Sequence, residues 1–212
     1  MTHPLTLHLR DLGEPLVAAW RRAFDGVDSV TVTRGDIFSD DEGPIATDAP
    51  IDVKADAVVS PANSFGFMDG GIDAVYTYQF GFGLQERLQA LITRDHQGEL
   101  PVGQAVIVST GDPGIPWCIS APTMRTPGPV AETVNAYLAF RAALVAAVAH
   151  NRRGEPTIHR ILCPGLGTAI GRMPVERCAR QMRAAWDRVV GERPFAPNSI
   201  REASSDEAEL LR

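Results

Sequence analysis

Short apolar runs alternate with amphipathic stretches along this chain, the pattern of strands covered by helices. Residues 5–10 read as an edge strand, 14–24 as a helix, and 29–33 as a second strand that ends at Arg34-Gly35-Asp36. Residues 57–60 form a buried apolar strand that Pro61 stops, since proline cannot donate to a central ladder. Leu84, Leu88, Leu91 and Ile92 share one helical face, and strands follow at 105–109, 117–120 and 157–163. Two further helices are expected, each burying one stripe. The first stripe is Val134, Tyr137, Leu138, Ala142, Val145, Val148 and Ala149; the second is Val175, Cys178, Ala179, Met182, Ala185, Trp186 and Val189, opened by Pro174. Residues 39–55 are acidic and aperiodic, long enough for a functional flap or a disordered loop.

Composition narrows the function classes. At 212 residues the chain is long enough for one sizeable α/β core, so we expect one domain over 1–197, with 198–212 as a tail or an extra docked helix. The net charge of −6 argues against a broad nucleic-acid or anionic-membrane surface. Arg177, Arg180, Arg183 and Arg188 read as a solvated helix face. No apolar run approaches the roughly 18 residues of a membrane span, and a cytoplasmic protein is expected. Cys118, Cys163 and Cys178 are far apart with no histidine at ligand spacing, so neither a disulfide framework, a metal site nor a cofactor is expected.

The chemistry concentrates in two glycine-rich strand exits. The first, PANSFGFMDGGID over residues 61–73, places Gly70 and Gly71 just before Asp73 at the start of a helix. The second is CPGLGTAIG over residues 163–171. In an open α/β sheet ligands bind beyond the carboxyl ends of strands, so the two loops could face each other across a cleft whose free amides suit a diphosphate. Neither loop has the spacing of a dinucleotide fingerprint or a P-loop.

These residues resemble the macrodomain family. The first loop is similar to the family's first binding loop, with Asp73 ten residues after Asn63. Arg34-Gly35-Asp36-Ile37 resembles its earlier Gly-Asp-Ile element and residues 163–171 its diphosphate-embracing loop, so the resemblance spans roughly 30–190. It implies a three-layer α/β/α fold with a mixed sheet of about six strands, and ADP-ribose or an ADP-ribosylated protein as partner. Asp36 would then accept from the adenine amine, beside the Ile37 backbone, and Asn63 would bind the distal ribose. Gly70, Gly71, Ile72 and the run Gly165, Leu166, Gly167, Thr168, Ala169, Ile170 and Gly171 would embrace the diphosphate. Taken alone, Asp36 also suits a turn cap, Asn63 an Asx-turn and Asp73 an ordinary helix N-terminal acid.

The resemblance further implies hydrolysis of mono-ADP-ribosyl linkages on proteins or of O-acyl-ADP-ribose, with a non-catalytic ADP-ribose reader as the alternative. Asp73 is the favoured catalytic acid, with Asn63 and Asp69 beside it. Asp69 stands where the family usually has glycine; it could be the catalytic group, raise the pKa of Asp73, or be a surface turn residue. With Ala169 and Gly171 replacing the usual glycine and aromatic, stacking on the ribose would have to come from Phe65, Phe67, Tyr76 or Tyr78. The Gln85-Glu86-Arg87 run lies too far beyond Gly71 for a poly(ADP-ribose) glycohydrolase and reads as an exposed helix face.

Overall fold

The apolar runs assemble into one sheet in the order β2-β1-β6-β3-β5-β4. Its strands are β1 (Thr6–Asp11), β2 (Val30–Arg34), β3 (Ala57–Ser60), β4 (Val106–Ser109), β5 (Trp117–Ser120) and β6 (Arg160–Cys163). All neighbours pair in parallel except β4, which runs antiparallel to β5. The helices are α1 (Glu14–Ala23), α2 (Gly71–Phe80), α3 (Gly83–His96), α4 (Asn135–Asn151), α5 (Val175–Val189) and α6 (Ile200–Leu210). These elements come from a computed structural model that describes residues 5–39, 53–154, 158–191 and 193–212. Most of the acidic segment 39–55, and Thr157 of the last strand expected, lie outside those residues.

The alternation of side chains along each strand divides the core into two layers. Leu7, Leu9, Ala57, Val59, Ile119, Ile161 and Cys163 face α1, α4 and α5 in one cluster. Val58, Cys118 and Leu162 face the opposite way, onto Tyr76 of α2 and Leu84, Leu88 and Ile92 of α3. The result is the expected α/β/α arrangement around a mixed six-stranded sheet. Full burial of a leucine such as Leu7 or Leu9 is worth about 1.5–3 kcal/mol, so each strand is held mainly by these two faces.

Three expectations need correction. The strand at 5–10 is not an edge: β1 pairs with β2 on one side, Leu7 opposite Val30, and with β6 on the other, Leu7 opposite Ile161. Its polar residues are taken up by neighbours, His8 Nε2 lying 2.6 Å from Thr33 Oγ1 and Arg10 donating to Thr33 and to two backbone carbonyls. In α4, Ala142 alone of the expected stripe is buried, whereas Val145 is exposed. The buried face is Ala136, Ala139, Phe140, Ala143, Leu144 and Ala147. Because α4 is apolar nearly all round, periodicity singles out no side, and the small alanines occupy the closest approach. The arginines of α5 do not form a solvated face throughout. Arg177 donates to the Ala131 carbonyl, Arg183 Nη1 to the Ala23 carbonyl at 2.6 Å, and Arg188 pairs with Asp206.

Residues 198–212 carry α6, capped by Ser199, whose hydroxyl accepts from the Glu202 amide at 3.2 Å. Gln181 of α5 donates to the Leu210 carbonyl at 3.1 Å, which with the Arg188–Asp206 pair docks α6 on α5. Among the described residues no helix is long and apolar enough to cross a membrane.

Candidate functional site

The chain leaves β6 toward α5 on one face of the sheet and leaves adjacent β3 toward α2 on the other. Neighbouring strands whose connections diverge to opposite faces open a crevice at their carboxyl ends. The cleft lies there. Asn63, Asp69, Gly70, Gly71, Ile72 and Asp73 line one wall, and Gly165, Gly167, Thr168, Ala169, Ile170 and Gly171 line the other. Twelve of the proposed site residues are thus brought together.

The first loop is built by its own polar groups. Asn63 Oδ1 accepts from the Phe65 and Phe67 amides at 3.1 and 3.3 Å, and its Nδ2 donates to the Phe67 carbonyl at 2.8 Å. The Asx-turn alternative therefore describes Asn63, which keeps one amide hydrogen to offer a ligand. Gln85 Oε1 accepts from the Met68 amide at 2.7 Å, and Thr77 Oγ1 donates to the Met68 carbonyl at 2.6 Å. Gln85 is thus a support of the loop, not a bare exposed position. Gly71 has φ +57, and a Cβ added at Gly70 or Gly71 would meet no atom within 4 Å. A ligand can therefore approach this backbone closely, where the first amides of α2 have no acceptor within the helix.

The second loop folds back on itself. Gly167, at φ +71, accepts from the Met173 amide at 2.9 Å, and the Gly171 carbonyl accepts from the Val130 amide at 2.7 Å. A Cβ on Gly171 would lie 2.4 Å from the Gly167 carbonyl oxygen and 2.7 Å from Val130 Cγ2. Gly171→Ala is therefore expected to destabilise the protein by about 1–3 kcal/mol, read as a fall in Tm. An unchanged Tm would mean that the loop accommodates the methyl by moving.

Asp73 is the chemically distinctive group. It lies in the first turn of α2, 4% exposed, and accepts from Ser60 Oγ at 2.7 Å. Burial pushes its carboxyl up to about 7, against the opposing pull of the Ser60 hydroxyl. The cause is desolvation; Asp69 is not among the groups that shift it. Asp69 itself is exposed on the same wall. A carboxyl that titrates near neutrality can take a proton from water, and this one borders the cleft. Among the aromatics considered, Tyr76 is buried with its hydroxyl on the Val59 carbonyl, whereas Phe67 is about half exposed and lines the cleft opposite Ile170.

Asp36, Ile37 and Leu166 do not line this cleft. Asp36 Oδ1 accepts from the Phe38 amide at 3.0 Å, a local turn bond, while Ile37 and Leu166 point into the two cores. Among the residues that shape the site and escaped the sequence reading are Ser60, Gln85 and Asp11. Ser60 had a signal, as the single polar residue of the run AVVS at its cleft end. Asp11 closes β1, lines the cleft and accepts from the Gly13 amide at 2.8 Å. Burial raises its pKa, countered by hydrogen bonds from the Gly13 and Gly165 amides. Cys118, Cys163 and Cys178 are all buried thiols. Among the described residues no group of three or more His, Cys, Asp or Glu could hold a metal.

This architecture has relatives. An uncharacterized protein of Aeropyrum pernix is 33% identical over 145 residues, 65% of this chain and 70% of that protein. An Oceanobacillus iheyensis macrodomain with ADP superposes with a TM-score of 0.55 at 18% identity, covering 74% of this chain and 84% of that one. The macrodomain of Mycobacterium tuberculosis DarG gives 0.52 at 19% identity, covering 74% and 88%. At these identities the solved structures establish the fold. The Macro domain family model matches residues 59–182, more than half of the sequence. The matched segment holds both cleft loops and Asp73, and the chain belongs to the macrodomain family.

Proposed function

We propose that the cleft binds ADP-ribose and that the protein hydrolyses mono-ADP-ribosyl linkages on proteins, or O-acyl-ADP-ribose. The observation that carries this reading is Asp73, a buried acid bordering the cleft whose pKa of about 7 suits proton transfer at neutral pH. The diphosphate rests between the amides at Gly70, Gly71 and Ile72 and the loop from Gly165 to Gly171, where glycine backbone replaces basic side chains. The distal ribose then lies toward Asn63, Asp69 and Asp73. Water attacks its anomeric carbon, its proton passes to Asp73, and the bond to the carrier breaks with the electron pair leaving on the carrier. The ionised carboxylate also offsets positive charge that develops on the ribose. Phe67 supplies the aromatic surface that the second loop lacks. The O. iheyensis macrodomain with ADP supports a nucleotide diphosphate as the ligand class.

The adenine is assigned to Asp36 and the Ile37 backbone, at the exit of β2 one strand beyond Asp11. Calorimetry with adenosine, ADP and ADP-ribose tests the binding assignment. Asp36→Ala is expected to weaken all three by about tenfold, and selective loss of ADP-ribose alone would remove Asp36 from the adenine end. No binding of ADP-ribose by the wild type would reject the reading.

One observation favours a non-catalytic ADP-ribose reader: Asp73 is only 4% exposed, with one oxygen held by Ser60. A reader binds ADP-ribosylated protein and releases nothing. We assign the protein to the cytoplasm, where its three buried free thiols are compatible with a reducing compartment.

A further inference from the structure

Strand β1 lies between β2 and β6, so its end stands between the loops that follow those two strands. Consecutive residues on a strand point to opposite faces, and here the last two are Arg10 and Asp11. Arg10 is 3% exposed. Its Nε donates to the Asp36 carbonyl, its Nη2 to the Ser39 carbonyl and its Nη1 to Thr33 Oγ1 at 2.8 Å. A Cβ on Gly35 would lie 2.4 Å from Nη2, so glycine there lets the guanidinium reach all three acceptors. Asp11 works on the other loop. Its Oδ1 accepts from the Gly13 amide at 2.8 Å, and its carboxylate packs against Gly165, where an added Cβ would sit 3.2 Å from Oδ2 and 2.5 Å from Thr168 Oγ1.

We propose that Arg10 and Asp11 are the positioning pair of the cleft, Arg10 fixing the Asp36–Ile37 exit of β2 and Asp11 fixing the glycine-rich exit of β6. Through them the adenine and diphosphate ends of one extended ligand are held in register by a strand that lies outside the matched residues 59–182. This inference rests on the ligand reading above. Its physical core does not: a planar fork with three acceptors among the described residues and a carboxylate held by Gly13 and packed against Gly165 each lock a backbone segment whether or not a ligand is present.

Hydrogen–deuterium exchange on the ligand-free protein separates the two. Asp11→Ala is expected to speed amide exchange across residues 165–171 at least tenfold while leaving 36–39 unchanged, and Arg10→Met to do the reverse. Should either variant fail to fold, Asp11→Asn and Arg10→Lys replace it, with the same crossed pattern in weaker form. In calorimetry, Arg10→Lys is expected to weaken adenosine, ADP and ADP-ribose by a similar factor. Asp11→Asn is expected to spare adenosine and weaken the two diphosphates. Uniform exchange changes over both loops, or no change in folded variants, would overturn the proposal. Failure of the wild type to bind any of the three ligands, with the crossed exchange pattern intact, would overturn the ligand reading alone.

Discussion

Asp73→Asn is expected to slow release of ADP-ribose from a mono-ADP-ribosylated protein by about 10²–10⁴-fold, the range a positioned general base contributes. Asparagine keeps the shape of the side chain and can still accept from Ser60, so binding of ADP-ribose should stay within a few-fold of wild type. The loss should therefore fall on kcat and not on KM. The same assignment fixes the pH dependence. The base must be ionised, so the rate rises with pH and levels off above about 7, where burial has placed the carboxyl. Ser60 stabilises the ionised form, and Ser60→Ala should move the midpoint to higher pH. Release at the wild-type rate by Asp73→Asn, together with loss in Asp69→Asn, would transfer the role to Asp69. Equal inactivity of the wild type under all conditions would leave the reader as the function.

The same substitution is expected to stabilise the fold, and only above acid pH. Asp73 titrates near 3.8 in an unfolded chain and near 7 in the folded one, so between those values the folded state holds the extra proton. Raising the pH from 4 to 8 strips it away at the expense of folding, a penalty of about 4 kcal/mol at 1.36 kcal/mol per unit. Asparagine carries no such proton. The difference in stability between Asp73→Asn and wild type should grow by that amount from pH 4 to pH 8, while any packing cost of the amide cancels between the two. Denaturant melts at both pH values measure it. A difference that is the same at pH 4 and pH 8 would show that Asp73 is not a desolvated acid. A buried carboxyl kept at such cost is the stability–activity conflict typical of functional sites.

Much of this molecule is readable from residues alone, because strong local signals and tertiary structure agree. The run AVVS stopped by Pro61 is a buried strand in the structure, and the Cys178–Met182–Trp186 stripe does face the core. Signals fail where neighbours supply partners that the local sequence does not name. Arg10 looks solvent-facing in isolation, yet carbonyls of the Asp36–Ser39 segment satisfy it. Helix α4 offers apolar residues on every side, so the choice of face belongs to α5 and the sheet. Ser199 and Glu202 have the spacing of a capping box ahead of a helix, a signal that could have selected the docked helix over the frayed tail. Within the site, the glycine pattern marks where a ligand can come near. It does not reveal that Ser60 and Asp73, thirteen residues apart, are hydrogen-bonded, because that contact depends on how the start of α2 is placed against the end of β3.

The position of β6 carries a consequence for how the chain is made. It is the last strand in the sequence and the third in the sheet, joining β1 to β3. Without residues 160–163, the sheet divides into β2 with β1 and β3 with β5 and β4, each half left with an open edge where β6 sits. Those edges would present unpaired backbone donors and acceptors competent to pair with other chains. Four residues, Arg160–Cys163, close both edges, and the chain that leaves them supplies the second cleft loop. Ligand competence should therefore wait for β6, the loop that follows it to Gly171, and α5, which covers that face of the sheet.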